Sequence, residues 1–435
     1  MRFSGQQVLV LGLAKSGVGA IHLLRSAGAK VTGSDSRKLT DLPDMQKLVE
    51  NSEISFTPDR ETSLDHIDSI IVSPGVPLTH AIIQAAKHRG IPVYGEIELA
   101  CEYLRGPILG ITGSNGKTTT TAMVGHILKA AGVPCQVGGN IGFAATDMIA
   151  TATFLQWNVL ELSSFQLETI DRFHPQIASV LNVTPNHLDR HGTLDLYAAA
   201  KGNIFQNQRS GDWAVLNAAN SISSGYTTAA RVARFGGDAA NVNGGNIELF
   251  GKTLMPISAV QLPGQHNLEN VMAAATMASL AGASHQAIAE SVATFNGVRH
   301  RLEFIREFRG VRFYNDSKAT SVDATLKAVE ALSGPLWVIL GGLDKGGSYM
   351  PLAGPLKQKA KSALLIGSAA PIIEKELSAH VSLDNCGTLE TAIHSAVNQA
   401  QPGDTVLLAP ACASYDQFKS YEHRGDMFRQ LVEAL

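Results

Sequence analysis

Short β-branched runs alternate with longer stretches of helical periodicity three times along the 435-residue chain. That alternation admits few arrangements other than parallel βαβ units. The first block reads as a strand at Val8–Leu11, a glycine-rich turn, a helix near Gly17–Ala27 and a strand at Lys30–Ser34. It continues with Ile70–Ser73, a helix near Thr79–Arg89 and a strand at Ile91–Tyr94. The second opens with Ile108–Thr112, a second glycine-rich loop and a helix near Lys117–Ala131, followed by strands at Asn158–Leu162 and Ile177–Asn182. A β-like segment from Val232 to Leu262 and two alanine-rich helices up to Phe295 complete it. The third runs from about Arg299, with strands at Val311–Tyr314, Leu336–Leu340, Ala363–Ile366 and Thr405–Leu408. At about 150 residues per domain the length agrees with three. The expected boundaries are 1–94, 95–299 and 300–435.

Composition narrows the functional classes. Hydrophobic residues make up 45% and charged residues 17%, enough apolar surface for sizeable cores and incompatible with a disordered chain. Lys plus Arg number 35 against 38 Asp plus Glu, a formal charge of -3 that provides no broad basic surface for nucleic acid or anionic membrane. Neither partner is expected. The four cysteines (Cys101, Cys135, Cys386, Cys412) lie far apart without a CxxC pair, as reduced thiols in a cytosolic protein would. The N-terminal apolar run lacks the length and cleavage site of a signal peptide, and Val271–Ala283 is too short to span a bilayer. A cytoplasmic location is expected.

Two glycine-rich turns carry the chemistry. The first, Gly12-Leu13-Ala14-Lys15-Ser16-Gly17, lies between a strand and a helix, with Asp35 after the second strand. A dinucleotide-binding unit has this layout. The middle glycine is alanine here, however, so a nucleotide site, a purely structural tight turn and an NAD site all stay open. The second turn, Gly110-Ile111-Thr112-Gly113-Ser114-Asn115-Gly116-Lys117-Thr118, is a variant phosphate loop with Ile111 where glycine is usual. Backbone N–H groups in such a loop cradle phosphates, Lys117 adds a point charge and the Thr118 hydroxyl can reach Mg²⁺. ATP binding follows. Glu161 ends the next strand, where a carboxylate can coordinate magnesium beside the loop. The run Asn182-Val183-Thr184-Pro185-Asn186-His187-Leu188-Asp189-Arg190-His191 follows another strand and puts His187 at the same sheet edge, with His191 and Asp189 as loop-structuring residues. A helix over Leu194–Gln208 carries Lys201.

The segments ITGSNGKTTT, GGNIG, ELSSFQLE, NVTPNHLDRHG and YAAAKGNIF together resemble the central domain of the Mur ligases, ATP-dependent amino-acid ligases of peptidoglycan precursor synthesis. NDSKATSVDAT, GGLDKGGSY and APACASYDQFKSYEHRGDMF resemble the D-glutamate-adding branch of that family. The resemblance spans essentially the whole chain. It implies a Rossmann-like N-terminal domain, a P-loop ATP-binding central domain and a Rossmann-like C-terminal domain. The implied reaction activates the terminal carboxylate of UDP-N-acetylmuramoyl-L-alanine as an acyl phosphate, and the amino group of D-glutamate then attacks it.

The resemblance also implies roles residue by residue. Leu13, Lys15, Ser16, Ser34, Asp35, Ser36, Arg37, Ser73, Pro74 and Gly75 would hold the UDP-sugar rather than NAD. Asn140, Ser163 and His187 would lie near its reacting end. Gly113, Ser114, Asn115, Gly116, Lys117, Thr118 and Thr119 would bind ATP phosphates, Asn267 and Asn270 the adenine, Arg301 the γ-phosphate and Asp316 the ribose. For Asn267 a helix N-cap is the competing reading. Lys318, Thr320, Lys345, Ser414 and Tyr421 would bind D-glutamate, with Ser321 standing where the family commonly has Asn. Two Mg²⁺ ions are implied, one held by Thr118 and Glu161, the other by His187 and a CO₂-derived carbamate on Lys201. Lys117, Glu161, His187 and Lys201 would form the catalytic set. A monomer is expected, with closure of the C-terminal domain about a hinge near Gly297–His300. A sister ligase adding another amino acid, a dehydrogenase and a non-catalytic nucleotide-binding regulator are the competing functions. The dehydrogenase leaves the second loop, Glu161 and His187 without a task.

Overall fold

A computed structural model describes residues 2–51 and 54–435; of Lys15, Asp44 and Asp189 the backbone alone is described. Three sheets form among these residues. The first has five parallel strands, β1 (Gln7–Leu11), β2 (Lys30–Asp35), β3 (Ser55–Pro58), β4 (Ser69–Val72) and β5 (Val93–Gly95), in the order β3-β2-β1-β4-β5. This doubly wound order reverses at β1, so a crevice opens beyond the C-terminal ends of β1 and β4. Helix Lys15–Ser26 leaves β1 through the first glycine turn. An added Cβ at Gly17 would overlap the carbonyl oxygen of Gly12, so the helix can sit this close to the turn only with glycine there.

The second sheet has nine strands. They are β6 (Ile108–Thr112), β7 (Cys135–Gly139), β8 (Trp157–Glu161), β9 (Ile177–Val180), β10 (Trp213–Asn217), β11 (Arg231–Phe235), β12 (Ala240–Asn243), β13 (Asn246–Leu249) and β14 (Lys252–Pro256). Their order is β14-β13-β12-β11-β10-β9-β6-β8-β7, with an antiparallel meander over β12–β14 at one edge. β6 lies between β9 and β8, fully buried along its length, which seats the phosphate loop on a strand paired on both sides. The third sheet has the order β15-β16-β20-β17-β18-β19, from β15 (Glu303–Phe308), β16 (Val311–Asn315), β17 (Leu336–Gly341), β18 (Ala360–Ile366), β19 (Leu383–Gly387) and β20 (Thr405–Leu408). A β15–β16 hairpin makes one edge and the remaining pairs are parallel.

The chain divides into two compact units, Met1–Val260 with His266–Ala293, and Gln261–Gln265 with Thr294–Leu435. The first unit holds two sheets because a short helix, Glu96–Cys101, joins them through buried carboxylates. Glu98, 2% exposed, accepts the backbone N–H groups of Asp171, Arg172 and Phe173 at 2.9–3.0 Å. Glu96 accepts the N–H of Thr146 at 2.9 Å. This helix carries too few residues for a periodic signal and is absent from the sequence reading, as are β3 and β7. The expected helix over Leu194–Gln208 ends at Gly202 and passes into a 3₁₀ turn at Asn203–Phe205, where Asn203 donates to the Leu167 carbonyl. All four cysteines are free thiols. No helix among the described residues is long and apolar enough to cross a membrane.

Replacing Glu98 by Ala strands three backbone donors, of which that of Phe173 is buried. It is expected to cost on the order of 3 kcal/mol, read as a lower urea midpoint of the first unit, with Glu98→Gln costing less because one acceptor oxygen survives. An unchanged midpoint for Glu98→Ala would contradict this account.

Candidate active site

The phosphate loop leaves β6 at Thr112, and helix Lys117–Ala130 begins behind Gly116. Gly116 has φ +81°, and an added Cβ there would strike the Asn270 amide, so loop and helix Gln265–Leu280 meet at a position only glycine can occupy. The segment after β9 laces the loop in place. Ser114 N–H donates to the Asn182 carbonyl at 2.9 Å, Asn115 N–H to Asn182 Oδ1 at 2.9 Å, and Ser114 Oγ to the Thr184 carbonyl at 3.0 Å. Thr118 lies buried in the first turn of the helix.

Two lysines converge on one oxygen. Lys117 Nζ donates to the Gly113 carbonyl at 2.8 Å and to the Ser114 carbonyl at 3.1 Å. Lys201 Nζ donates to the same Gly113 carbonyl at 2.9 Å, lies 3.4 Å from Thr112 Oγ1 and sits 4.6 Å above the Tyr197 ring. Lys201 is 1% exposed, and no carboxylate lies within 4 Å of it among the described residues. Burial, reinforced by the charge of Lys117 and opposed by Glu161, pulls its pKa down to about 6. Its buried setting favours the neutral amine over the solvated cation a helical lysine usually is.

Glu161 stands at the end of β8. Its Oε1 accepts the Asn140 side-chain amide at 2.8 Å, while Oε2 is buried without a hydrogen-bond partner. An orphaned carboxylate oxygen beside a phosphate loop fits a Mg²⁺ ligand. Among the described residues no three His, Cys, Asp or Glu side chains gather into a metal cage, so an ion here needs phosphate oxygens to complete its shell, the usual habit of Mg²⁺. His187 adopts φ +53°, ψ +32°, left-handed backbone uncommon outside glycine, and stands at the N-cap position of the short helix Leu188–His191. Its exposed ring meets Phe165 edge-on at 5.1 Å. His191 is buried between Ser164 Oγ at 3.0 Å and Glu168 Oε1 at 3.3 Å, a bracing role; the Asp189 side chain lies outside the described structure. Ser163 forms a capping box with Gln166 at the head of helix Ser164–Leu167.

A cavity of about 450 Å³ opens between the first two sheets, lined by Leu13, Ser16, Asp35, Ser36, Arg37, Ser73, Pro74, Gly75 and Asn140 of the expected residues. Asp35 organises it. Its carboxylate accepts the Leu13 N–H at 2.7 Å and the Arg37 N–H, Nε and Nη2 at 2.9–3.0 Å. Burial acts to raise its pKa, but these donors outweigh that and bring it to about 2. Ser34 is enclosed away from the cavity, its hydroxyl donating to Asp59 at 2.6 Å. The Lys15 side chain lies outside the described structure. Asn267 and Asn270 are both buried, with Asn270 Nδ2 donating to Asn267 Oδ1 at 3.2 Å. Asn267 is the third residue of its helix, which removes the N-cap reading.

In the second unit Asp316, Lys318 and Thr320 follow β16, Lys345 follows β17 and Ser414 follows β20, all at the carboxyl ends of parallel strands. Lys345 Nζ donates to the Thr320 carbonyl at 2.9 Å. Asp316 is buried, which raises its pKa to about 6 against the pull of Arg301 and Lys318. Tyr421 opens helix Tyr421–Glu433, and its carbonyl accepts Ser317 Oγ. Sequence reasoning missed Arg424, fully buried on that helix. It donates to Ser317 Oγ, Ser317 O, Cys412 O and Ala413 O at 2.9–3.3 Å and so ties the Asp316–Lys318 turn to the loop of Ser414. Four acceptors from loops far apart in sequence leave no local signal.

Three family models match in register with the sheets: the Mur ligase MurD-like N-terminal domain over 6–95, the Mur ligase middle domain over 111–278, and the Mur ligase glutamate ligase domain over 300–412. A UDP-N-acetylmuramoylalanine–D-glutamate ligase of Solibacter usitatus is 50% identical, covering 100% of this chain and 99% of its own length. The chain belongs to the Mur ligase family. The same ligase of Acidobacterium capsulatum is 46% identical over 100% of this chain and 97% of its own. Among solved structures of the family, MurF ligase of Thermotoga maritima in complex with ADP aligns with TM-score 0.57 at 18% identity, covering 99% of this chain and 96% of that one, a likeness of fold.

Loss of the Asp35 acceptor should destabilise the first unit of this family member. Because the folded pKa is depressed, its contribution is present above the unfolded value near 4 and is lost as pH falls toward about 2. The stability gap between wild type and Asp35→Asn, measured by urea unfolding, is therefore expected to be constant from pH 7 to 5 and to shrink below about pH 4. A gap that widens on acidification would exclude this linkage.

Proposed function

We propose that the chain joins D-glutamate to UDP-N-acetylmuramoyl-L-alanine at the expense of ATP, as a monomeric cytoplasmic enzyme of peptidoglycan precursor synthesis. The observation that carries the chemistry is the convergence of Lys117 and Lys201 on the Gly113 carbonyl beside the unpartnered oxygen of Glu161. Attack of a carboxylate on the γ-phosphate brings two anions together, so neutralising their charge lowers the barrier most.

In this reading the three domains fall at 1–94, 95–299 and 300–435. The 450 Å³ cavity holds the UDP-sugar, with Asp35 and Arg37 at the nucleoside end and Asn140 toward the reacting carboxylate. Residues Gly113–Thr119 embrace the ATP phosphates, Asn267 and Asn270 meet the adenine, and Arg301 and Asp316 meet the γ-phosphate and ribose. Thr118 and Glu161 would hold one Mg²⁺, and His187 with Lys201 a second. Bound there, the ions would supply charge neutralisation of the phosphates. Lys318, Thr320, Lys345, Ser414 and Tyr421 bind the carboxylates of D-glutamate and present its amine to the acyl phosphate, expelling phosphate.

Lys201 gains its place by reacting. A buried free amine adds to CO₂, forming an N–C bond and releasing one proton, and the product is a carbamate anion. That exchange turns a group unfavourable beside a divalent cation into a ligand for it.

Phosphate release from ATP with Mg²⁺ and UDP-N-acetylmuramoyl-L-alanine is expected to require D-glutamate and to fail with L-glutamate, L-alanine or diaminopimelate. Dependence on another amino acid would discard the assignment of the second unit's pocket. No release with any of them would point to a non-catalytic nucleotide-binding protein. Lys117→Ala should lower kcat by about 10²–10³. For the carbamate, rigorous removal of CO₂ should depress turnover and added bicarbonate restore it. Turnover indifferent to CO₂ would rule the carbamate out.

A further inference from the structure

Arg190 physically joins the cavity to the loop of His187. It lies on the short helix Leu188–His191, and its guanidinium covers the Phe165 ring at 4.0 Å. Nη1 donates to the Pro74 carbonyl at 2.7 Å and Nη2 to the Val76 carbonyl at 3.1 Å. Nη2 also meets Glu168 Oε2 at 3.2 Å, in a pair whose side chains are only 15% and 17% exposed. Pro74 and Val76 belong to the turn that lines the cavity from the first sheet. Phe165 in turn carries the His187 ring edge-on at 5.1 Å and the His191 ring stacked at 5.3 Å.

An ion pair with Glu168 alone would not need the two carbonyls. Reaching both on one turn while lying flat on an aromatic face takes a planar donor fork, which arginine has and lysine lacks. His187, at the far end of this chain of contacts, holds left-handed backbone that costs free energy, and such a conformation persists only where its surroundings enforce it. An unbroken path of contacts therefore runs from the Ser73–Val76 turn through Arg190 and Phe165 to His187.

We propose that Arg190 is a positioning residue that couples occupancy of the Ser73–Val76 turn by the UDP-linked substrate to placement of His187 against the metal–nucleotide. The inference rests on the ligase reading above. It requires reciprocity: whatever factor Mg²⁺-nucleotide adds to substrate affinity, substrate adds to nucleotide affinity.

The test is calorimetric titration of the full chain with UDP-N-acetylmuramoyl-L-alanine, with and without Mg²⁺ and a non-hydrolysable ATP analogue, D-glutamate omitted, and then the reverse titration. Wild type is expected to show equal coupling factors of about fivefold or more. In Arg190→Met and Arg190→Lys the factor should fall to near one. A merely structural arginine would lower both affinities and leave their ratio unchanged. Should the Arg190 variants not fold, Phe165→Leu interrupts the same path while sparing the ion pair, and it too should abolish coupling. Wild-type coupling retained in the folded variants, or absent from wild type, overturns the proposal. A wild-type chain that does not bind the UDP-linked substrate overturns the ligase reading, and the proposal with it.

Discussion

One carbonyl oxygen organises the phosphate site. Gly113 presents it just past the end of β6, and two lysines from different helices, Lys117 and Lys201, donate to it. Two ammonium groups around one acceptor, with one of them buried, disfavour each other's charged form. Burial and the nearby Lys117 charge accordingly lower the pKa of Lys201. Lys117 covers the loop, Lys201 stands buried behind it, and one oxygen of Glu161 is buried without a hydrogen-bond partner. The lacing of Ser114 and Asn115 to Asn182 and Thr184 keeps the loop from relaxing away from this arrangement.

Local signals account for most of what the sequence discloses. Strand–glycine–helix junctions at Gly12 and Gly113 were legible because glycine there is required by close backbone approach, a constraint that acts within a few residues. The Asp35 site was equally readable, since Leu13 and Arg37 are tied to it by the spacing of a βαβ unit. The alternation of strands and helices made the three α/β blocks plain, although β3, β7 and β19 were too polar or too short to register. The Asp59 partner of the Ser34 hydroxyl lies 25 residues away in sequence and left no sign in the motif.

What stayed hidden has a common physical cause. Glu98, Arg190 and Arg424 all act on backbone groups of distant segments, and every residue owns a backbone N–H and C=O. The partner's identity therefore leaves nothing to detect. Such residues look like ordinary surface charges on helices until the fold brings the loops to them. In the second unit Arg424 joins the Asp316–Lys318 turn to the Cys412–Ser414 loop, so the candidate D-glutamate residues owe part of their mutual placement to a side chain that hydrogen-bonds to none of the expected ligands.

The cradle around Glu98 also dictates an order of events while the chain is being made. Its carboxylate emerges with the end of the first sheet, but the N–H groups that receive it begin 73 residues later, at Asp171. At ordinary synthesis rates that is a wait of roughly 4–15 s. Through that interval the first sheet can complete its own βαβ core while its last helix keeps a hydrated acid with no place to dock. The chain therefore delivers the residues of the first sheet well before the surface that fastens its last helix.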